Sequence, residues 1–141
     1  MANDKVDQIV DEVVRIAGVL GLPVELDRPY DFDENELPLI IVRTGEEEVI
    51  EDDGYPLESW QDFWRVGPSI EVLVPEDDPW ALRSALNGHW AALRAEIMNS
   101  SLQDLIRDGT KPGLRKDMIE VSDRSGIAGI SVELSLEIER D

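Results

Sequence analysis

The 141-residue chain contains no cysteine. Disulfides, thiolate nucleophiles and cysteine-ligated metals are therefore excluded. It has one histidine, His89. With no cysteine to join it, an ordinary zinc site, which draws on several Cys and His ligands, has no support. No apolar run approaches the ~20 residues that a helix needs to cross a bilayer, so no membrane partner is expected. The opening MANDKVDQIV holds acids and no apolar core region. It does not read as a signal peptide, and the expected setting is a cytoplasm or an assembled particle. Positive charge is also scarce: 13 Lys and Arg face 32 Asp and Glu, a net charge of −19. That leaves no basic stripe to neutralise phosphates and argues against a conventional nucleic-acid reader.

Apolar residues make up 42% of the chain, enough for a real core, and the length suits one domain over residues 1–141. Three classes of protein tolerate such acidity: binders of basic partners, mimics of nucleic acid, and conduits that nucleic acid must pass without sticking. Adaptation to high salt is the bland fourth explanation.

Residues 4–20 read as an amphipathic helix. Val6, Val10, Val13, Ala17 and Leu20 form its stripe, Ile9 and Ile16 widen it, Asn3 is the N-cap, and Gly21 with Pro23 ends it. The polar passage ELDRPYDFDENELP reads as a surface loop. Leu39 to Arg43, bounded by Pro38 and Gly45, reads as a buried strand. Residues 60–74 look extended, with a bulge or break at Pro68, which cannot donate to a ladder. Asp78-Pro79 opens a second helix that runs to Met98 with Leu82, Leu86, Trp90, Leu93 and Ile97 inward. Ser101 to Arg107 is one short helical piece, closed by Gly109 and Pro112. Met118 to Val121 and residues 127–139 read as strands joined by the turn SDRSG. In the second, Ile130, Val132, Leu134, Leu136 and Ile138 alternate with Ser131, Glu133, Ser135, Glu137 and Glu139. The expected fold is α+β: a mainly antiparallel, possibly mixed, sheet of about four strands plus a hairpin, with two main helices on one face.

No catalytic motif emerges. His89 sits mid-helix beside Leu86 and Trp90, and no serine or acid stands at a motif-level spacing from it. Asp31, Asp33 and Asn35 imitate the opening of an EF-hand loop, but Glu36 stands where glycine is needed and Val42 where the bidentate acid is needed. A solvated acidic loop fits that segment better. Among 32 acids the spacing of carboxylate pairs carries no information. Residues 126–129, GIAG, lack the context of a phosphate cradle and read as a glycine-softened entry to a hairpin. No catalytic residue, metal site or cofactor is expected.

The stretch GEEEVIEDDGYPLESWQDFW, residues 45–64, stands apart. Glu46, Glu47, Glu48, Glu51, Asp52 and Asp53 are candidate channel or docking acids. Trp60, Phe63 and Trp64 follow no single period-2 face and are candidate subunit-interface residues, because large aromatics concentrate in desolvated interface centres. A sheet–helix core could take the same rings.

The layout resembles the tail terminator family of long-tailed phages, the minor tail protein U-like proteins. The resemblance runs over nearly the whole chain. It comprises an N-terminal helix, then Leu37 and Pro38 leading the apolar strand Leu39, Ile40, Ile41 and Val42, then a variable acidic loop. A strand ending in Ile70, Val72, Leu73 and Val74 follows, with a long helix opening on Asp78 and ending at Met98. Leu102, Leu105 and Ile106 come next, and a long alternating strand over 127–139 closes the chain. It is a likeness of order and spacing, without a motif that would anchor functional residues. It implies a structural, non-enzymatic virion protein of the tail, assembled in a host cytoplasm. Such a protein is a homo-hexameric ring that caps the tail tube, stops its polymerisation and docks the head. Its implied partners are the tail tube protein and a head-completion (connector) protein, and DNA passes the hole without specific binding. Six copies would carry about six times −19 formal charges, before counterions. The alternatives are another phage neck or head-completion protein, an acidic DNA mimic that inhibits a basic nucleic-acid-binding protein, or, with least support, a hydrolase using scattered carboxylates.

Overall fold

A computed structural model describes residues 4–50, 62–119 and 126–140. Helix α1 spans Lys5–Gly18. Its cap is Asp4, whose carboxylate accepts from the Val6 amide at 3.1 Å; the expected cap, Asn3, lies outside the described residues. The buried residues of α1 are Ile9, Val13, Ile16 and Ala17. Val13 and Ala17 of the expected stripe are thus buried together with Ile9 and Ile16, expected to widen it, while Val6 and Leu20 pack at its margin.

Seven strands form one sheet. They are β1 (Val24–Leu26), β2 (Leu39–Arg43), β3 (Glu47–Val49), β4 (Asp62–Val66), β5 (Ser69–Pro75), β6 (Gly113–Ile119) and β7 (Ile127–Arg140). The α+β class and the helix positions match the sequence reading; the strand count is higher. Two of the additional strands, β1 and β3, are three-residue edge elements without an alternating pattern. A third arises because the extended stretch over 60–74 divides at Gly67-Pro68, where the break was expected. The strand foreseen at Met118 starts five residues earlier, at Gly113.

The sheet is organised around β7. β4 and β5 pair antiparallel with the two halves of β7 in one continuous register, Asp62 opposite Arg140 and Pro75 opposite Ile127. β6 pairs with the other side of β7 over residues 129–135. Outside β5 lies β2, antiparallel, with β1 parallel beyond it. Outside β4 lies β3.

Alternate residues of these strands face opposite layers. Ile40, Val42, Val66, Ile70, Val72, Ile130, Val132, Leu134, Leu136 and Ile138 belong to the main core. On them pack α1, α2 (Pro79–Met98) and the short α3 (Leu102–Leu105). Asp78 caps α2 by accepting from the Ala81 amide at 3.3 Å, and Pro79 opens it. Each fully buried aliphatic side chain in this layer contributes about 1.5–3 kcal/mol of transfer free energy.

The opposite face carries a second, small core of Phe32, Leu39, Ile41, Leu73 and Ile127. Phe32 comes from the polar passage read as a surface loop, yet is 0% exposed. This explains why Leu39 to Val42 is apolar without alternation: β2 is covered on both sides.

Candidate functional site

The acid-rich stretch begins at a local break in the ladder. Arg43 stands opposite Ser69 and Glu47 opposite Val66, so Thr44, Gly45 and Glu46 face only Gly67 and Pro68. One extra residue on one strand is a β-bulge. Gly45 takes φ +73°, and a Cβ there would lie 1.9 Å from the Gly67 carbonyl oxygen. The ladder resumes through the Gly67 amide, which donates to the Glu46 carbonyl at 3.0 Å.

The bulge turns the chain into β3, an edge strand whose three residues, Glu47, Glu48 and Val49, are all exposed. Glu46 is exposed beside it. Three of the six candidate channel or docking acids thus share one short edge. The other three, Glu51, Asp52 and Asp53, lie outside the described residues, as does Trp60.

On the face away from the helices, Glu46 and Glu48 border a concavity of about 470 Å³ that Arg43, Arg65, Ser69 and Glu133 also line. Both arginines are tied within the sheet. Arg65 lies 3.6 Å from Glu137. Arg43 Nε donates to Glu71 Oε1 at 3.0 Å, and the Tyr30 hydroxyl donates to Glu71 Oε2 at 2.6 Å. Glu71 is 8% exposed. Burial, followed by the bond to Glu71 and its negative charge, pushes the Tyr30 phenol above its ordinary range. Burial pulls the Arg43 guanidinium down, but the Glu71 charge and the bonds to Glu71 and Tyr30 outweigh it and leave the group raised.

The loop that imitates an EF-hand is organised by an internal cation. Arg28 donates to Glu25, to Asp31 at 3.3 Å, and to both Glu36 oxygens at 3.0 and 3.1 Å. Glu36 also accepts from the Asp33 amide at 2.8 Å. That bond, followed by those from Arg28, holds the Glu36 carboxyl below its ordinary range. Asp31 and Glu36 thus reach one guanidinium while staying exposed, and Asp33 and Asn35 are exposed as expected of a solvated acidic loop.

The candidate interface aromatics divide between two faces. Trp64, opposite Ile138, packs against the main core and is half-buried. Phe63 points the other way and is 7% exposed, with the Arg107 guanidinium 3.8 Å from its ring centroid. Trp90 is half-buried and packs against the main core, with Lys116 Nζ 5.6 Å from its ring centroid. Trp80, at the start of α2, is 78% exposed. His89 is half-buried on α2.

The sequence reading missed where the few cations lie. Residues 1–78 hold five basic and 22 acidic residues, net −17, whereas residues 79–119 hold six basic and four acidic, net +2. The second group covers α2, α3 and β6, so the described outer edges of the sheet differ in sign. Glu47 and Glu48 stand on β3, and Arg115 and Lys116 stand on β6. A running charge tally along the chain would have shown the segregation; only the topology puts it on opposite edges.

No family model matches the chain, and no curated protein matches it. A solved structure, a chain from the virion of a native gene transfer agent (GTA) particle, is similar over 92% of this chain and 91% of that one, with 15% sequence identity and a TM-score of 0.45.

Proposed function

We propose that the chain is a structural virion protein of the tail-terminator type. In this reading it forms a ring, six copies in the family it resembles, that caps the end of a phage-type tail tube, halts tube polymerisation and presents a surface to the head. The observation that carries this reading is the agreement between the segments of the resemblance and the elements they form. Leu39 to Val42 lie in β2 and Ile70 to Val74 in β5. Asp78 caps α2, which ends at Met98. Leu102 and Leu105 bound α3, and residues 127–139 fall within β7.

The electrostatics suit a conduit. At physiological ionic strength the field of an exposed charge decays over about 8 Å. Only acids close to the DNA path therefore repel it. In this reading acids from six copies of a −19 chain line the hole on all sides, so phosphate is repelled there and DNA passes without specific binding.

Deleting the chain from a particle-producing genome tests the reading. The expected result is separate heads beside headless tails of irregular, excess length, corrected by supplying the chain. Normal joined particles from the deletion would overturn it.

A further inference from the structure

We infer that neighbouring copies in the assembly join edge to edge, the β6 strand of one copy pairing antiparallel with the acidic β3 strand of the next. This rests on the ring reading and specifies its contact. Among the described residues, β6 pairs only with β7 and β3 only with β4. Neither therefore has a second described strand on its outer side. A ring needs two different surfaces per copy, each matching the other, and two edges of one sheet supply them.

Strand direction and side-chain parity both permit the pairing. β4 and β6 each run antiparallel to β7, and β3 runs antiparallel to β4. A sheet continued around an axis along its strands therefore brings β3 of the next copy antiparallel to β6. Leu114 lies opposite Leu134, and Val49 lies opposite Trp64, which lies opposite Ile138. Leu134 and Ile138 both belong to the helix-side core, so Leu114 and Val49 face that side too.

One register then satisfies three pairs together: Leu114 with Val49, Arg115 with Glu48, and Lys116 with Glu47. The aliphatic pair and Lys116–Glu47 lie on the helix side, and Arg115–Glu48 lies on the opposite face. Slipping the register by one residue places opposite charges on opposite faces. Val49 is 46% exposed in the single copy, and this pairing covers it. The Arg115 side chain is 72% exposed, with Asp117 at 2.8 Å. The contact is short, because the β2–β3 edge beyond it is occupied: Asp27 accepts from the Thr44 amide at 2.9 Å. Glu47 and Glu48 are thereby placed between subunits, and Trp64 one strand inward of the seam.

The chain lacks cysteine, so an introduced pair reads the contact directly. Glu48→Cys with Arg115→Cys in the full chain, oxidised, is expected to give a covalent ladder that ends at the ring number and collapses on reduction. Charge exchange gives a second readout by sedimentation velocity. Glu47→Lys with Glu48→Lys, and separately Arg115→Glu with Lys116→Glu, should each stay monomeric where the parent chain forms rings. Mixed one to one, the two variants should form rings holding both in equal number, since each then presents the complement of the other. Circular dichroism of each variant checks that it is folded. Rings from either folded variant alone, rings absent from the mixture, or no ladder from the cysteine pair would overturn the edge contact while leaving the ring reading intact. A parent chain that never associates would overturn both.

Discussion

The Cβ that Gly45 lacks would lie 1.9 Å from the carbonyl oxygen of Gly67, and Gly45 holds φ +73°. Gly21 has nearly the same dihedral, φ +72°, with no atom within 4 Å of a built Cβ. The two glycines separate conformational strain from steric collision. Gly21→Ala should cost about 1 kcal/mol, from the left-handed dihedral alone. Gly45→Ala adds a backbone collision in the bulge and should cost at least about 2 kcal/mol more. Urea midpoints at constant m-value measure both. Equal costs would mean that the bulge does not need the close approach.

Phe32 and Trp80 invert the usual expectation for aromatics. Phe32→Ala empties the second core and should cost about 3–5 kcal/mol, although it comes from a loop. Trp80→Ala removes a side chain that is 78% exposed and should change stability by no more than about 0.5 kcal/mol. Thermal or urea unfolding decides, and a larger loss at Trp80 would contradict the layering described.

These two residues also mark what the sequence could show. Strict alternation made β7 legible, and an Asp-Pro start with a 3.6-residue stripe made α2 legible, because both patterns repeat over many residues. Phe32 was not legible, since two rings, Tyr30 and Phe32, among six acids carry no period. β1 and β3 are too short to alternate, and β3 forms only because a bulge at Gly45 re-aims the chain. The acids at Glu46 to Glu48 were visible as composition. Their place on an edge facing away from a basic edge depends on pairing between distant strands, which spacing does not encode.

Removing Glu71 tests the polar tie beneath the Tyr30 ring. Glu71→Ala strands Arg43 partly buried and removes the acceptor of Tyr30, so a loss of about 2–4 kcal/mol is expected. Tyr30→Phe leaves the ion pair and should cost about 1 kcal/mol. The double variant should fall short of the sum by at least about 0.5 kcal/mol, because both changes break one network. Additive losses would show that the two contacts act independently.

The pH dependence has two limbs. The Tyr30 phenol is raised by burial and by Glu71. Its contribution is intact below the unfolded value of about 10 and is lost as pH rises through the folded one. Glu36 is lowered by the Asp33 amide and Arg28, and Glu12 by its bond from Arg15. Their contributions are present above the unfolded value of about 4.3 and are lost as pH falls through the folded ones. Tyr30→Phe should flatten the alkaline limb of a urea-midpoint profile, and Glu36→Gln the acid limb. Unchanged slopes in both variants would contradict the assignment.

The central claim is that this polypeptide contributes shape and repulsive charge to a closed assembly, and it is tested most directly by electron microscopy of the purified full chain at concentrations where it associates. The account predicts rings of one fixed copy number, six, with an open centre and the sheet continuous from copy to copy. A population that stays monomeric at every concentration, or one that closes into two-fold dimers without a central hole, would contradict it.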